Sequence, residues 1–124
     1  DLVVLTKQNY RRAITNPENY GWVLSENNII NKTRIKKKPD NKNYSMVLGS
    51  FIFKNKKVYQ KIYKELLKKA PGELHIDYMI EIALHMGLKV IEQTSNNASV
   101  IGTPLEFELH KYSETVFNWL HNEN

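Results

Sequence analysis

Apolar positions along the chain change period several times, and each change marks an element. Leu2-Val3-Val4-Leu5-Thr6 is a short continuous apolar run, the pattern of a buried strand. Tyr10 to Asn19 is polar and holds Asn16-Pro17, a turn or loop signal. Tyr20-Gly21-Trp22-Val23-Leu24 predicts a second strand, and Ile29 to Ile35 a third with weak alternation; Glu26-Asn27-Asn28 between them predicts a hairpin. Lys36-Lys37-Lys38-Pro39 leads into a loop over Asp40 to Asn43. Tyr44 to Phe53 is rich in apolar and aromatic residues and is broken by Gly49. A glycine inside a strand often marks close approach of a ligand or of another backbone.

From Lys56 the period lengthens to that of a helix. Val58, Ile62, Leu66 and Leu67, joined by Tyr59 and Tyr63, make one stripe over Lys56 to Lys69. Pro71-Gly72 turns the chain. Ile76, Met79, Ile80, Ala83 and Leu84 then repeat at helical spacing, predicting a second helix that Gly87 closes. Leu88-Lys89-Val90-Ile91 predicts a short strand, Ser95-Asn96-Asn97 a loop, and Ser99-Val100-Ile101 a last short strand. Thr103-Pro104-Leu105-Glu106 opens a closing helix, with Thr as N-cap, Pro at the first helical position and Glu at the third. That helix runs to about Leu120, with Leu109, Tyr112, Val116, Trp119 and Leu120 on one side. Interleaved strands and helices predict an α/β class, a mixed sheet flanked by helices in a single domain over residues 1–124.

Composition narrows the function classes. The 124 residues allow one modest core. There is no cysteine, so neither a disulfide framework nor a thiolate metal site is available. No apolar run has transmembrane length and no signal-peptide pattern is present, so a cytoplasmic protein without a membrane partner is expected. The chain begins at Asp1 rather than Met, which reads as a processed or excised piece of a larger protein. Net charge is +5, unevenly spread: residues 32–69 hold 13 Lys/Arg against 2 acids, and residues 70–124 hold 2 Lys against 8 acids. The basic segment could face a phosphorylated partner, or be a solvated lysine-rich helix face.

Where the chain enters its second helix, Glu73, Asp77 and Glu81 gather. They read either as acids complementing the helix dipole or as part of a site. No Walker loop, Rossmann fingerprint, zinc spacing or nucleophile elbow appears. The histidines at 75, 85, 110 and 121 do not pair at i+3 or i+4 and read as surface or helix-face residues.

Five short pieces remain: Tyr20-Gly21-Trp22-Val23, Lys37-Lys38-Pro39, Leu48-Gly49-Ser50-Phe51-Ile52-Phe53, Gly72-Glu73 with Asp77, and Ile101-Gly102-Thr103-Pro104-Leu105-Glu106. In this order and at these separations they resemble the C-terminal half of the sugar-nucleotide pyrophosphorylases, nucleotidyltransferases that join a sugar 1-phosphate to a nucleoside triphosphate. The resemblance covers nearly the whole chain, and its ending, with Tyr112 and Trp119, is closest to the capsule- and surface-glycan-associated branch. It implies the C-terminal part of a Rossmann-like, glycosyltransferase-A-like domain. It also implies that Gly21 lets the backbone approach the sugar, Lys38 contacts the sugar phosphate and Gly49 lines the sugar pocket. Glu73 would accept hydrogen bonds from sugar hydroxyls, and Asp77 would act by direct contact or by support.

Two departures accompany the resemblance. Lys37 stands where the family usually has Glu before the Lys, and Val100 stands where many members carry a magnesium-binding Asp. The family's Gly-rich nucleotide loop and first metal Asp belong to an N-terminal half not present here. The resemblance therefore implies Mg²⁺ and NTP held mainly by that missing half, and no metal ligand or catalytic residue is assigned in this chain. The isolated chain is expected to be inactive. Two other readings stay open. One is a degenerate, non-catalytic domain that binds sugar phosphate or a partner. The other is a small basic nucleic-acid-binding domain, motivated by the basic segment with Tyr44, Phe51 and Phe53; alternating strand positions point these aromatics to a core instead, so a nucleic-acid partner is not expected.

Overall fold

Alternation decides the first strand. Leu2, Val4 and Thr6 are buried while Val3, Leu5 and Lys7 are only partly covered, so β1 (Leu2–Lys7) lays one face into a core. The computed structural model describes all residues except 11, 12, 14, 70–73, 123 and 124. β2 (Gly21–Glu26) and β3 (Ile29–Ile35) form the expected hairpin, turning on Asn27 and Asn28 at φ 51° and 62°. Both residues are left-handed, as a tight two-residue hairpin requires and asparagine tolerates. β4 (Ser45–Phe53) runs antiparallel to β1, and its register slips between Val4↔Phe51 and Thr6↔Val47. Gly49, at φ 74°, falls within that slip. A glycine in a bulge is the local cause of the interruption seen in the sequence.

The sheet then closes on itself. β1 pairs antiparallel with β4 and parallel with β5 (Val90–Thr94); β4 continues to β2, β2 to β3, and β3 meets β5 at Ile29↔Ile91. The strand order β1-β4-β2-β3-β5 is a closed barrel of mixed direction. This corrects the expected α/β architecture: the sheet is not an open, helix-flanked, Rossmann-like layer. The cause lies in β1, which takes partners on both edges, and in Ile29 at the hairpin turn, which reaches β5. That one pairing, Ile29 with Ile91, joins the two outer strands and closes the ring.

Three α-helices complete the described residues: α1 (Lys56–Lys69), α2 (Tyr78–His85) and α3 (Pro104–Asn122). One core joins Leu2, Val4, Val23 and Val90 of the strands to Ile62 and Leu66 of α1 and Met79, Ile80 and Ala83 of α2. Trp22 and Met46 pair across β2 and β4 and point the other way, into a second core with Ala13 and Tyr44. Helix α2 starts at Tyr78, two residues after Ile76, which is left 47% exposed, and Leu67 of α1 stands outside the core. Residues 99–101 form no strand.

β5 extends beyond its expected end at Ile91 because a buried polar group is satisfied there. The Glu92 carboxylate accepts the Thr6 hydroxyl at 2.7 Å and the Ser25 hydroxyl, so a charged residue sits at a core position of the strand. Thr6→Val keeps the shape and removes one donor. It is expected to cost about 1–3 kcal/mol, the penalty of a buried acceptor losing its bond. Urea unfolding followed by circular dichroism reads this out, and an unchanged midpoint would show that the bond contributes nothing.

Candidate functional site

The start of β2 is where distant parts of the chain converge. Gly21 is buried, and its backbone lies directly against Asp77. A Cβ added at Gly21 would stand 2.5 Å from Asp77 Oδ2, 2.9 Å from Cγ and 3.2 Å from Cβ. Glycine is required here by close approach, since only a residue without a side chain leaves room for the carboxylate. Asp77 precedes α2 but makes no capping hydrogen bond to it, so the helix-capping explanation does not account for its orientation. Burial pushes its carboxyl pKa above the ordinary carboxylate value, and the nearby positive charges of Lys36 and His75 offset part of that.

Lys36 is held in place by three features. Its φ is 54°, a left-handed conformation for a residue with a full side chain. Its N–H donates to Tyr20 O at 3.3 Å, and its ammonium donates to Asn19 O at 3.0 Å. Backbone strain of this kind persists where surrounding structure over-determines it, often at functional sites. Of the charged groups acting on Asp77, Lys36 has the larger effect and His75 the smaller.

A groove of about 880 Å³ runs between β3 and the ends of α1 and α2; Asp77, Gly21 and Lys36 are not among its lining residues. Its walls include Lys32, Arg34, Lys37, His75, Tyr78 and Glu81. Its size is in the range of small-ligand sites. Asp77 lies between two wall residues in sequence, His75 and Tyr78, whose rings are 6.1 Å apart. Some of the charge is already matched. Asp40 takes Arg34 at 2.6 Å and Lys32 at 3.1 Å, and these two hydrogen bonds hold its carboxyl below the ordinary range. Lys69 pairs with Glu81 at 2.9 Å. Lys37 faces the groove without such a pairing among the described residues.

The closing motif reaches the same strand end. Thr103 caps α3 as expected: the Glu106 N–H donates to Thr103 Oγ1 at 3.2 Å. The Glu106 carboxylate then collects four donors. Tyr20 OH at 2.7 Å and Tyr10 OH at 3.2 Å donate to Oε1; the Gly102 N–H and the Thr103 hydroxyl, both at 3.1 Å, donate to Oε2. Tyr20-Gly21 thus meets Asp77 through its glycine and Gly102-Thr103-Pro104-Leu105-Glu106 through its tyrosine.

The other expected site residues are placed differently. Lys38 is exposed on its loop and is not among the groove's walls. Gly49 is exposed in the β4 bulge, with nothing within 4 Å of the place a Cβ would take. Glu73 lies outside the described residues. Val100 packs as an apolar side chain against the Trp22–Met46 core, and among the described residues no three His, Asp or Glu gather in a metal-binding group. Tyr44 is buried, and Phe51 and Phe53 pack against the first core.

Searches against family models, curated proteins and solved structures return no match. Among the described residues, no helix is long and apolar enough to cross a membrane.

Proposed function

We propose that this chain is the sugar-side part of a cytoplasmic nucleotidyltransferase that forms a nucleotide sugar from a sugar 1-phosphate and an NTP, for surface polysaccharide synthesis. The observation that carries the proposal is the seating of Asp77 against Gly21, two residues that the motif pattern singled out from 56 positions apart. A carboxylate next to bare backbone offers acceptors to vicinal hydroxyls. Lys36, whose charge acts on Asp77, and Lys37 on the groove wall supply positive charge for a phosphate. A groove whose walls carry both a carboxylate and several cations suits a phosphorylated polyol.

In the full reaction an oxygen of the sugar phosphate attacks the α-phosphorus of the NTP. A new P–O bond forms, the α–β bridging bond breaks, and pyrophosphate leaves. Mg²⁺ and the NTP would be held by residues outside this chain. The role of this chain is to bind and orient the attacking sugar phosphate, and by itself it is not competent for transfer.

Thermal unfolding against a panel of sugar 1-phosphates, NTPs and nucleotide sugars, with and without Mg²⁺, tests the proposal. One sugar phosphate is expected to raise the midpoint by mass action without needing Mg²⁺, and Asp77→Asn is expected to abolish the rise. A rise with NTP alone, or nucleotide-sugar synthesis by the isolated chain, would refute the assignment. The apolar packing of Val100 favours a second reading, a non-catalytic sugar-phosphate-binding domain. In that case the sugar phosphate would bind equally well, but the full-length parent would form no nucleotide sugar.

A further inference from the structure

Helix α1 keeps two aromatic rings partly in water beside its lysines. Tyr59 and Tyr63 are one turn apart and stack, with 5.6 Å between ring centres and 15° between planes. Phe53, at the end of β4, meets Tyr59 edge-on at 5.2 Å. The two tyrosines are 38% and 37% exposed, although Ile62 and Leu66 of the same helix are buried. Tyr44 is buried and Phe51 packs against the first core, so the rings left to the basic segment are those of α1.

The rings stand among unmatched charges. α1 carries six lysines, Lys56, Lys57, Lys61, Lys64, Lys68 and Lys69, against one acid, Glu65. Lys68 pairs with Glu65 and Lys69 with Glu81. Lys56, Lys57, Lys61 and Lys64 form no ion pair among the described residues. Lys57 and Lys61, four apart, repel each other on the helix surface, and so do Lys61 and Lys64, three apart. Lys56 and Lys57 also occupy the first turn, where no acid offsets the positive end of the helix dipole. Each of these arrangements works against the folded helix until an anion is brought to it.

Helical spacing places charge beside the rings. Lys56 is three residues before Tyr59, and Gln60 is three before Tyr63. Gln60 in turn neighbours Lys57 and Lys64. Across the exposed arc the order is therefore ring, then Lys56 and Gln60, then Lys57 and Lys64. An acidic peptide or a lone phosphate would match the charge and leave the rings unused. A duplex would present phosphates with its base faces already stacked. A single strand offers both repeating phosphates and open base faces.

We infer that this face of α1 binds single-stranded nucleic acid, with bases stacked on the Tyr59–Tyr63 pair and phosphates along Lys56, Lys57 and Lys64. At 14 residues the helix is about 21 Å long, room for about four nucleotides. None of these residues lines the groove given to sugar phosphate, so the inference stands apart from that reading.

Fluorescence anisotropy with a labelled twelve-nucleotide oligothymidylate tests it. The chain is expected to bind at about 50 mM salt, and log K to fall against log salt with a slope of about −2, from three phosphates at about 0.7 each. Lys57→Gln combined with Lys64→Gln should bring the slope to about −0.7. Tyr63→Ala should weaken binding roughly tenfold with the slope unchanged, and Tyr63→Phe should bind as the native chain does. The lysine variants alter only exposed side chains, so the slope decides even where Tyr63→Ala loosens the core edge. No binding at about 50 mM salt would overturn the inference. So would an unchanged slope in the double lysine variant, or a folded Tyr63→Ala chain that binds as tightly as the native one. Polyglutamate or a duplex binding as well as the single strand would overturn it too. Displacement of the strand by sugar 1-phosphate at constant ionic strength would place it in the groove instead, with the same consequence.

Discussion

Glu106→Ala is expected to lower the stability of the folded chain by about 2–4 kcal/mol, because one carboxylate satisfies donors from three separate segments. Tyr10 and Tyr20 belong to the loop and strand start, Gly102 to the approach to α3, and Thr103 to its cap. Glu106 is 4% exposed and is the buried residue of α3. Without it the two phenols and the Gly102 N–H lose their acceptor, and α3 loses its polar anchor to the barrel. Burial alone would push the Glu106 pKa up, but the hydrogen bonds from Tyr20, Thr103, Tyr10 and the Gly102 N–H outweigh it and hold the group below its ordinary 4.5. The folded state therefore binds this proton more weakly than the unfolded state does. The resulting stability is complete above 4.5 and is lost as pH falls through the folded value. Tyr20 has the opposite sign: burial, then the hydrogen bond and charge of Glu106, raise its phenol above 10.0. That contribution is complete below 10.0 and is lost as the solution becomes more alkaline. Guanidinium unfolding across pH should show a plateau between these limits, and Glu106→Gln should flatten the acidic limb while the part of the alkaline limb that comes from burial of Tyr20 remains. A Glu106→Ala chain as stable as the native one would mean that the tyrosine contacts contribute nothing.

Local pattern made most of the elements legible, and long-range pairing decided what it could not. The Asn27-Asn28 turn, the Thr103 cap and the extent of α1 all follow from residues within a few positions of one another, although of the expected α1 stripe only Ile62 and Leu66 are buried and Tyr59, Tyr63 and Leu67 stay exposed. The closure of the barrel depends on β1 pairing with both β4 and β5 and on Ile29 meeting Ile91, contacts between segments far apart in the chain. Nothing in the period of a strand says how many partners it takes. Glu92 misled for a related reason. A charged residue ends an apolar run on paper, but Thr6 and Ser25 satisfy it from other strands. At the site, Gly21 and Asp77 were legible as motif residues, although what brings them together is packing. Lys36 was not legible, because its position rests on a left-handed backbone that a lysine-rich sequence does not announce.

Gly21→Ala is expected to destabilise the chain by about 1–3 kcal/mol and to remove its response to sugar phosphate, since the new methyl group enters the space of Asp77. Rotation of the carboxylate can relieve the 2.5 Å and 2.9 Å contacts, but the 3.2 Å contact to Asp77 Cβ is fixed by the backbone before α2. Shortening the other side should relieve most of the clash. In an Asp77→Ala background, Gly21→Ala should therefore cost less than it does alone, a coupling that a double-mutant cycle measures. Asp77→Asn separates stability from function. Burial raises the Asp77 pKa in the folded state above its ordinary 3.8, so at neutral pH the charged form works against folding. Its penalty is absent below 3.8 and develops as pH rises through the folded value. Removing the charge should raise the unfolding midpoint at pH 7 while abolishing sugar-phosphate binding. A structural carboxylate would show the reverse, lower stability with binding intact. A residue kept at the expense of stability is what a binding role demands, and the two midpoints, with and without ligand, distinguish these cases in one titration series.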